Sequence, residues 1–147
     1  MTRPPVTSHT ASVVARRPPP AELPRRLGDW ELAGLAGEGS LTQVYRARPA
    51  GTGAEHPAAY AVKLLRPFWQ QDRQAVAVMR REARVGRTVS HPHLVPILAA
   101  GVREPPYFLV MPWLAGRTLA AHQASRGPLD TPVVLWIARQ VAEALDA

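Results

Sequence analysis

The sequence predicts an α+β fold: an antiparallel sheet of about five strands crossed by one long helix, with two more helices after it. Three observations predict it. Short apolar runs bounded by Gly- and Pro-rich breaks fill residues 30–65 and 94–113. A helical apolar period occupies residues 72–89. A second such period opens at Asp130-Thr131-Pro132, a cap followed by proline in the first turn, and continues to Ala147.

The elements follow in order. Residues 1–26 read as a disordered Pro/Arg-rich leader, with Pro18-Pro19-Pro20 in a row and little apolar periodicity. Trp30–Ala36 is a predicted strand, Gly37-Glu38-Gly39-Ser40 a tight turn, and Leu41–Arg48 a second strand. A Pro/Gly loop over 49–57 precedes a third strand, Ala58–Leu65. The long helix runs from Asp72, a candidate N-cap, to about Val89. Ala75, Val76, Met79, Ala83, Gly86 and Val89 fall on one arc of it, and Arg73, Arg80, Arg81, Arg84 and Arg87 on the other. Glu82 sits at the edge of the apolar arc, where a carboxylate points toward the protein and needs a cation. Leu94–Val102 and Tyr107–Trp113 are predicted strands separated by Arg103-Glu104-Pro105-Pro106. A short helix near Thr118–Ala124 precedes the final one, whose apolar stripe is Val134, Ile137, Ala138, Val141 and Leu145.

Composition narrows the function classes. The 147 residues have room for one domain, and 46% apolar with 20% charged residues is ordinary for a globular protein. The absence of cysteine excludes disulfides, thiolate metal sites and a cysteine nucleophile, and fits a reducing, cytoplasmic setting. No stretch approaches the roughly 18 consecutive apolar residues of a membrane helix, so no membrane partner is expected for this chain. Ala11–Ala15 is too short for a secretory core, and the leader's prolines break the amphipathic helix of a transit peptide. Of the net charge of +7, +4 lies in residues 1–26, where Arg3, Arg16, Arg17, Arg25 and Arg26 face only Glu22. With no aromatic residues between them, these arginines read as a solvated tail and predict no specific nucleic acid. His91 and His93 flank a proline, but two histidines are too few for a metal site, and none is expected. His9, His56 and His122 read as surface residues, and Trp113 and Trp136 as packing residues.

Two features carry chemistry. Gly37-Glu38-Gly39 between two strands lets backbone amides approach a phosphate without side-chain obstruction. Strand continues after it, which argues against a dinucleotide-binding fingerprint, and no Gly-Lys-Ser/Thr is present to make a P-loop. The second is Lys63, the single lysine beside seventeen arginines, set in the apolar run Ala58-Ala59-Tyr60-Ala61-Val62-Lys63-Leu64-Leu65. Ala61 and Lys63 are two apart and share a face, with Val62 turned to the other side.

Taken in order, Gly37-x-Gly39 with Val44-Tyr45, Tyr60-Ala61-Val62-Lys63, Arg81-Glu82-Ala83, His91-Pro92-His93-Leu94-Val95, and Leu109-Val110-Met111-Pro112-Trp113-Leu114-Ala115-Gly116-Arg117-Thr118-Leu119 closely resemble the N-lobe of bacterial Ser/Thr protein kinases. The resemblance covers about Leu27 to Ala147. It implies a protein-kinase-like N-lobe and hinge over 27–114 and the start of an incomplete C-lobe over 115–147. It implies ATP as ligand. Ala36, Gly37, Glu38 and Gly39 would cover the phosphates, Val44 and Ala61 would flank the adenine, and Lys63, paired with Glu82, would hold the α/β-phosphates. Met111 matches the gatekeeper, and the backbone of Pro112 and Leu114 would meet the adenine edge. Two positions depart from the pattern: Thr42 stands for the third glycine, and Pro112 for the acidic residue after the gatekeeper.

The same resemblance implies a His-Arg-Asp catalytic loop with its Asn, and an Asp-Phe-Gly that holds Mg2+. The sequence has no asparagine, and its aspartates are Asp29, Asp72, Asp130 and Asp146, none in either motif. The expectation is therefore the ATP-binding portion of a Ser/Thr kinase, inactive by itself, with Mg2+ and a protein substrate engaged only by a complete domain. The alternative is a non-catalytic, pseudokinase-like module that binds nucleotide or a partner protein, with the exposed C-terminal helix as its docking surface.

Overall fold

A computed structural model describes residues 26–147. The leader expectation for 1–25 lies outside the described residues, while Arg26 is paired rather than part of a tail. The strands are β1 (Arg26–Leu27), β2 (Trp30–Glu38), β3 (Thr42–Pro49), β4 (Tyr60–Leu65), β5 (Ala99–Gly101) and β6 (Phe108–Pro112). They form one six-stranded antiparallel sheet in the order β1-β2-β3-β4-β6-β5. The helices are α1 (Arg73–Thr88), α2 (Leu119–Arg126) and α3 (Thr131–Leu145), with a 3-10 turn at Pro67–Trp69. This is the α+β arrangement the sequence predicts, with one strand more.

Residue alternation along β4 sorts the sheet into two faces. Val62 and Leu64 join Leu27, Tyr45, Ala47 and Val110 in a cluster on one face. Leu65 and Leu109 join Tyr107 and the buried side of α1 (Ala75, Val76, Met79 and Ala83) on the other. That side of α1 is the apolar arc of the sequence, and Asp72 caps the helix by accepting the Ala75 N–H at 2.8 Å.

The expected fourth strand shrinks to Ala99–Gly101. Pro96 has no N–H to give a ladder, and the Leu94 N–H is taken by His91 O at 3.0 Å, so pairing starts only where Leu98 N–H reaches Val110 O at 2.8 Å. The predicted glycine turn is also narrower than expected. Gly37 and Glu38 pair with Val44 and Gln43, and two irregularities in β2, between Leu32 and Gly34 and between Leu35 and Gly37, take up the extra residues. The turn itself is Gly39-Ser40-Leu41, closed by Gly39 N–H to Thr42 O at 2.8 Å.

α2 is capped by Thr118, which accepts the Ala121 N–H at 3.1 Å, whereas Asp130 at the start of α3 makes no side-chain cap. Val134, Val141 and Leu145 of α3 are exposed, and Ile137 is half-buried. Trp136 is 63% exposed, which corrects its expected packing role: it stands on the open side of α3 and helps line a groove of about 400 Å3 with His93, Leu94, Ile137, Val141 and Leu145. Glu143 accepts from Arg139 at 2.7 Å and lies 3.4 Å from His93 Nε2, so α3 is tied to the loop after α1.

Gly86 fixes how closely α1 approaches that loop. Its carbonyl accepts the Ile97 N–H at 3.2 Å, and a β-carbon there would stand 2.3 Å from Ile97 Cγ1. Gly86→Ala should therefore cost about 1–3 kcal/mol of stability by overpacking, read as a lowered melting temperature, and Ile97→Ala in the same chain should recover part of that loss.

Candidate functional site

The strand register assembles the site. Gly37, Val44, Lys63 and Leu109 lie in one row across β2, β3, β4 and β6, and Gly34, Arg46, Ala61 and Met111 lie in another. Directly paired residues share a face, so Val44, Ala61, Lys63 and Met111 present their side chains together, on the side of the sheet where α1 packs. Val62 is on the opposite face and fully buried, as its alternation requires.

Lys63 and Glu82 meet there. The ammonium donates to both carboxylate oxygens, at 2.7 and 2.8 Å. The two side chains retain 28% and 35% of their exposure, so the pair reaches solvent rather than being sealed in the core. Met79 and Ala83, buried on either side of Glu82, hold this stretch of α1 to the sheet and set the height of the carboxylate. The pair faces a cleft of about 210 Å3 whose other wall is Gly39, Ser40, Leu41 and Thr42. Lys63, Glu82 and Gly39 thus line one cavity, although they come from three separate elements.

The remaining predicted positions divide. Val44 and Met111 are half-exposed and Ala61 is buried on the shared face. Ala36 is exposed at an irregularity of β2, outside the regular pairing. The carboxylate of Glu38 accepts from Gln43 Nε2 at 2.8 Å, and Gln43 Oε1 accepts from Tyr45 O–H at 2.9 Å, which braces the hairpin behind the turn. Burial, reinforced by the negative charge of Glu38 and opposed by Arg66, pushes the Tyr45 hydroxyl above its ordinary value. Pro112 pairs with Tyr60, the Trp113 N–H donates to Ala59 O at 2.9 Å, and Leu114 is exposed.

Sequence reasoning missed Arg46. Its guanidinium lies 4.8 Å from the centre of the Trp113 ring and donates to Ala58 O at 3.3 and 3.1 Å, so it ties the segment after β6 to the start of β4. The available signal was an arginine two residues from Val44 on the same strand face. Among the described residues no cluster of three or more His, Asp or Glu could hold a metal, and no helix is long and apolar enough to cross a membrane.

The family model for protein tyrosine and serine/threonine kinases matches residues 31–146. The chain belongs to the protein kinase family. It is 33% identical over 122 residues to the serine/threonine-protein kinase PknD of Mycobacterium tuberculosis, covering 83% of this chain and 18% of PknD. It is 29% identical over 118 residues to the serine/threonine-protein kinase PrkC of Bacillus subtilis, covering 80% of this chain and 18% of PrkC. Among solved structures, the PknI kinase domain of Mycobacterium tuberculosis matches with a TM-score of 0.67 and 26% identity, over 82% of this chain and 48% of that one. The chain therefore spans about half of a solved kinase domain and 18% of these curated relatives. These matches make it part of a bacterial Ser/Thr kinase domain, a family that uses ATP and Mg2+.

Because both partners of the Lys63–Glu82 pair are partly hydrated, the pair adds little to folding. Glu82→Gln should lower stability by less than about 1 kcal/mol, read by thermal melting without nucleotide.

Proposed function

We propose that residues 27–147 form the ATP-binding part of a Ser/Thr protein kinase, with Lys63 as the phosphate contact and Glu82 as the residue that orients it. The observation that carries this reading is the two-oxygen contact between Lys63 and Glu82 beneath the Gly39-Ser40-Leu41 turn. An ammonium held by a carboxylate, yet part-exposed, can give its remaining donor capacity to phosphate oxygens. The turn offers backbone amides and no bulky side chain at Gly37 or Gly39. Val44, Ala61 and Met111 form a flat apolar strip beside the lysine, suited to one face of an adenine ring. The Pro112 carbonyl and the Leu114 backbone are the candidate partners for the adenine edge, since proline retains its carbonyl.

The residues present do not fit Mg2+. A kinase holds it through an Asp-Phe-Gly aspartate and a catalytic-loop asparagine, and these 147 residues contain neither. The chain's own contribution is to bind and orient the nucleotide. Proton abstraction from a Ser/Thr substrate and metal-assisted charge neutralisation are steps of a complete domain, as is recognition of the protein substrate. A cytoplasmic setting, where ATP is abundant and thiols stay reduced, suits this role. A second reading, a non-catalytic module that docks a partner protein, is favoured by the exposed apolar residues Val134, Val141 and Leu145 of α3. A stable, monodisperse monomer of the 147-residue chain would count against it.

Lys63→Met removes a charged hydrogen bond to phosphate and should weaken ATP binding about 10- to 100-fold by calorimetry, while leaving adenosine binding nearly unchanged. Equal ATP affinity in parent and mutant would refute the phosphate role. Purified 1–147 incubated with ATP, Mg2+ and a generic protein substrate should transfer no phosphate.

A further inference from the structure

The turn over the cleft is fastened from one side. Arg66 Nη1 donates to Gly39 O at 3.1 Å, Trp69 Nε1 donates to Ser40 O at 3.0 Å, and the Arg66 backbone N–H donates to Leu41 O at 2.9 Å. Three successive carbonyls of the turn are thus held by the connector between β4 and α1. The connector is itself anchored. Gln70 Nε2 donates to Leu65 O, Gln70 Oε1 accepts the Tyr107 N–H at 3.1 Å, and the Trp69 ring packs against the cluster beneath α1.

The consequence follows from peptide geometry. In a trans peptide the N–H points opposite to the C=O. With the carbonyls of Gly39 and Ser40 turned to Arg66 and Trp69, the N–H groups of Ser40 and Leu41 face away from the connector. Neither meets a protein acceptor among the described residues, whereas the Gly39 N–H is already spent on Thr42 O. A flipped peptide would instead set a carbonyl oxygen against an anion, which repels it. Thr42, where kinases carry a third glycine, stiffens only the far end of the turn.

We propose that Arg66 and Trp69 are positioning residues: they latch the turn's carbonyls to the connector, so that the Ser40 and Leu41 amides are offered to the phosphates of a nucleotide. This rests on the ATP reading above. It makes the phosphate-covering turn and the helix that carries Glu82 parts of one braced unit, because the connector leads directly into α1 through the Asp72 cap.

The test uses the 147-residue chain with two variants. Trp69→Phe keeps an aromatic ring against the core and changes no charge, but loses the N–H. Arg66→Met keeps an apolar stem and loses the guanidinium. First, 15N order parameters of Gly39, Ser40 and Leu41 in nucleotide-free protein should fall in both variants. Unchanged values overturn the latch. Second, the ATP dissociation constant of Trp69→Phe should rise about fivefold, the size expected for one lost neutral hydrogen bond, with adenosine binding unchanged. An unchanged ATP constant, or equal weakening of ATP and adenosine, overturns the positioning role. Should the parent chain bind no ATP at all, the proposed function and the phosphate-positioning role fall together, while the order parameters still decide whether the latch exists.

Discussion

An ammonium on an inner strand must meet a carboxylate on a helix, and much of this structure serves that meeting. Lys63 lies between the buried residues Ala61 and Leu65 on its face of β4, with its side chain partly exposed at the cleft. Glu82 lies nineteen positions later, on a helix whose azimuth is set by Ala75, Val76, Met79 and Ala83. A rotation of α1 by one residue, about 100°, would carry the carboxylate out of reach. The apolar arc of α1 therefore both builds the core and aims Glu82.

The two faces of the sheet divide the tasks. Tyr45, Ala47, Val62, Leu64 and Val110 consolidate the face away from the site. The other face is apolar under α1 and carries Lys63, partly exposed, beside Val44, Ala61 and Met111. Close packing leaves little slack where α1 meets the loop after it, as at Gly86 against Ile97, one helical turn beyond Glu82. The Arg46–Trp113 stack joins the segment after β6 to β3 and, through Ala58 O, to the start of β4. The connector of residues 66–70 links the two regions, because it touches the turn, the sheet and the start of α1.

Several parts of this were legible along the chain. The 3.6-residue period marked α1 to within a residue at each end, because an amphipathic helix records its burial locally. Asp72 was identifiable as a cap for the same local reason. Alternation separated Val62 from Ala61 and Lys63, and an isolated lysine with an inward glutamate pointed to a pair. Pairing within 94–102 is confined to Ala99–Gly101, because apolar content signals burial but not pairing, and Pro96 lacks the donor that pairing requires. The exposure of Trp136 is not legible in the sequence, because a large aromatic suits a core while its burial depends on what packs against α3.

By itself the sequence determined the element types, the faces of β4 and α1, the identity of the two charged partners and the family pattern that joins them. Each depends on spacing within one element or on residue types in fixed order. Tertiary structure alone decided the six-strand order, the narrow Gly39-Ser40-Leu41 turn, the Arg46–Trp113 stack and the fastening of the turn by Arg66 and Trp69. These contacts join residues up to 67 positions apart, or end on backbone carbonyls that every residue carries. Residue identity leaves no local mark of which carbonyl a distant donor will find, so only the folded register selects it.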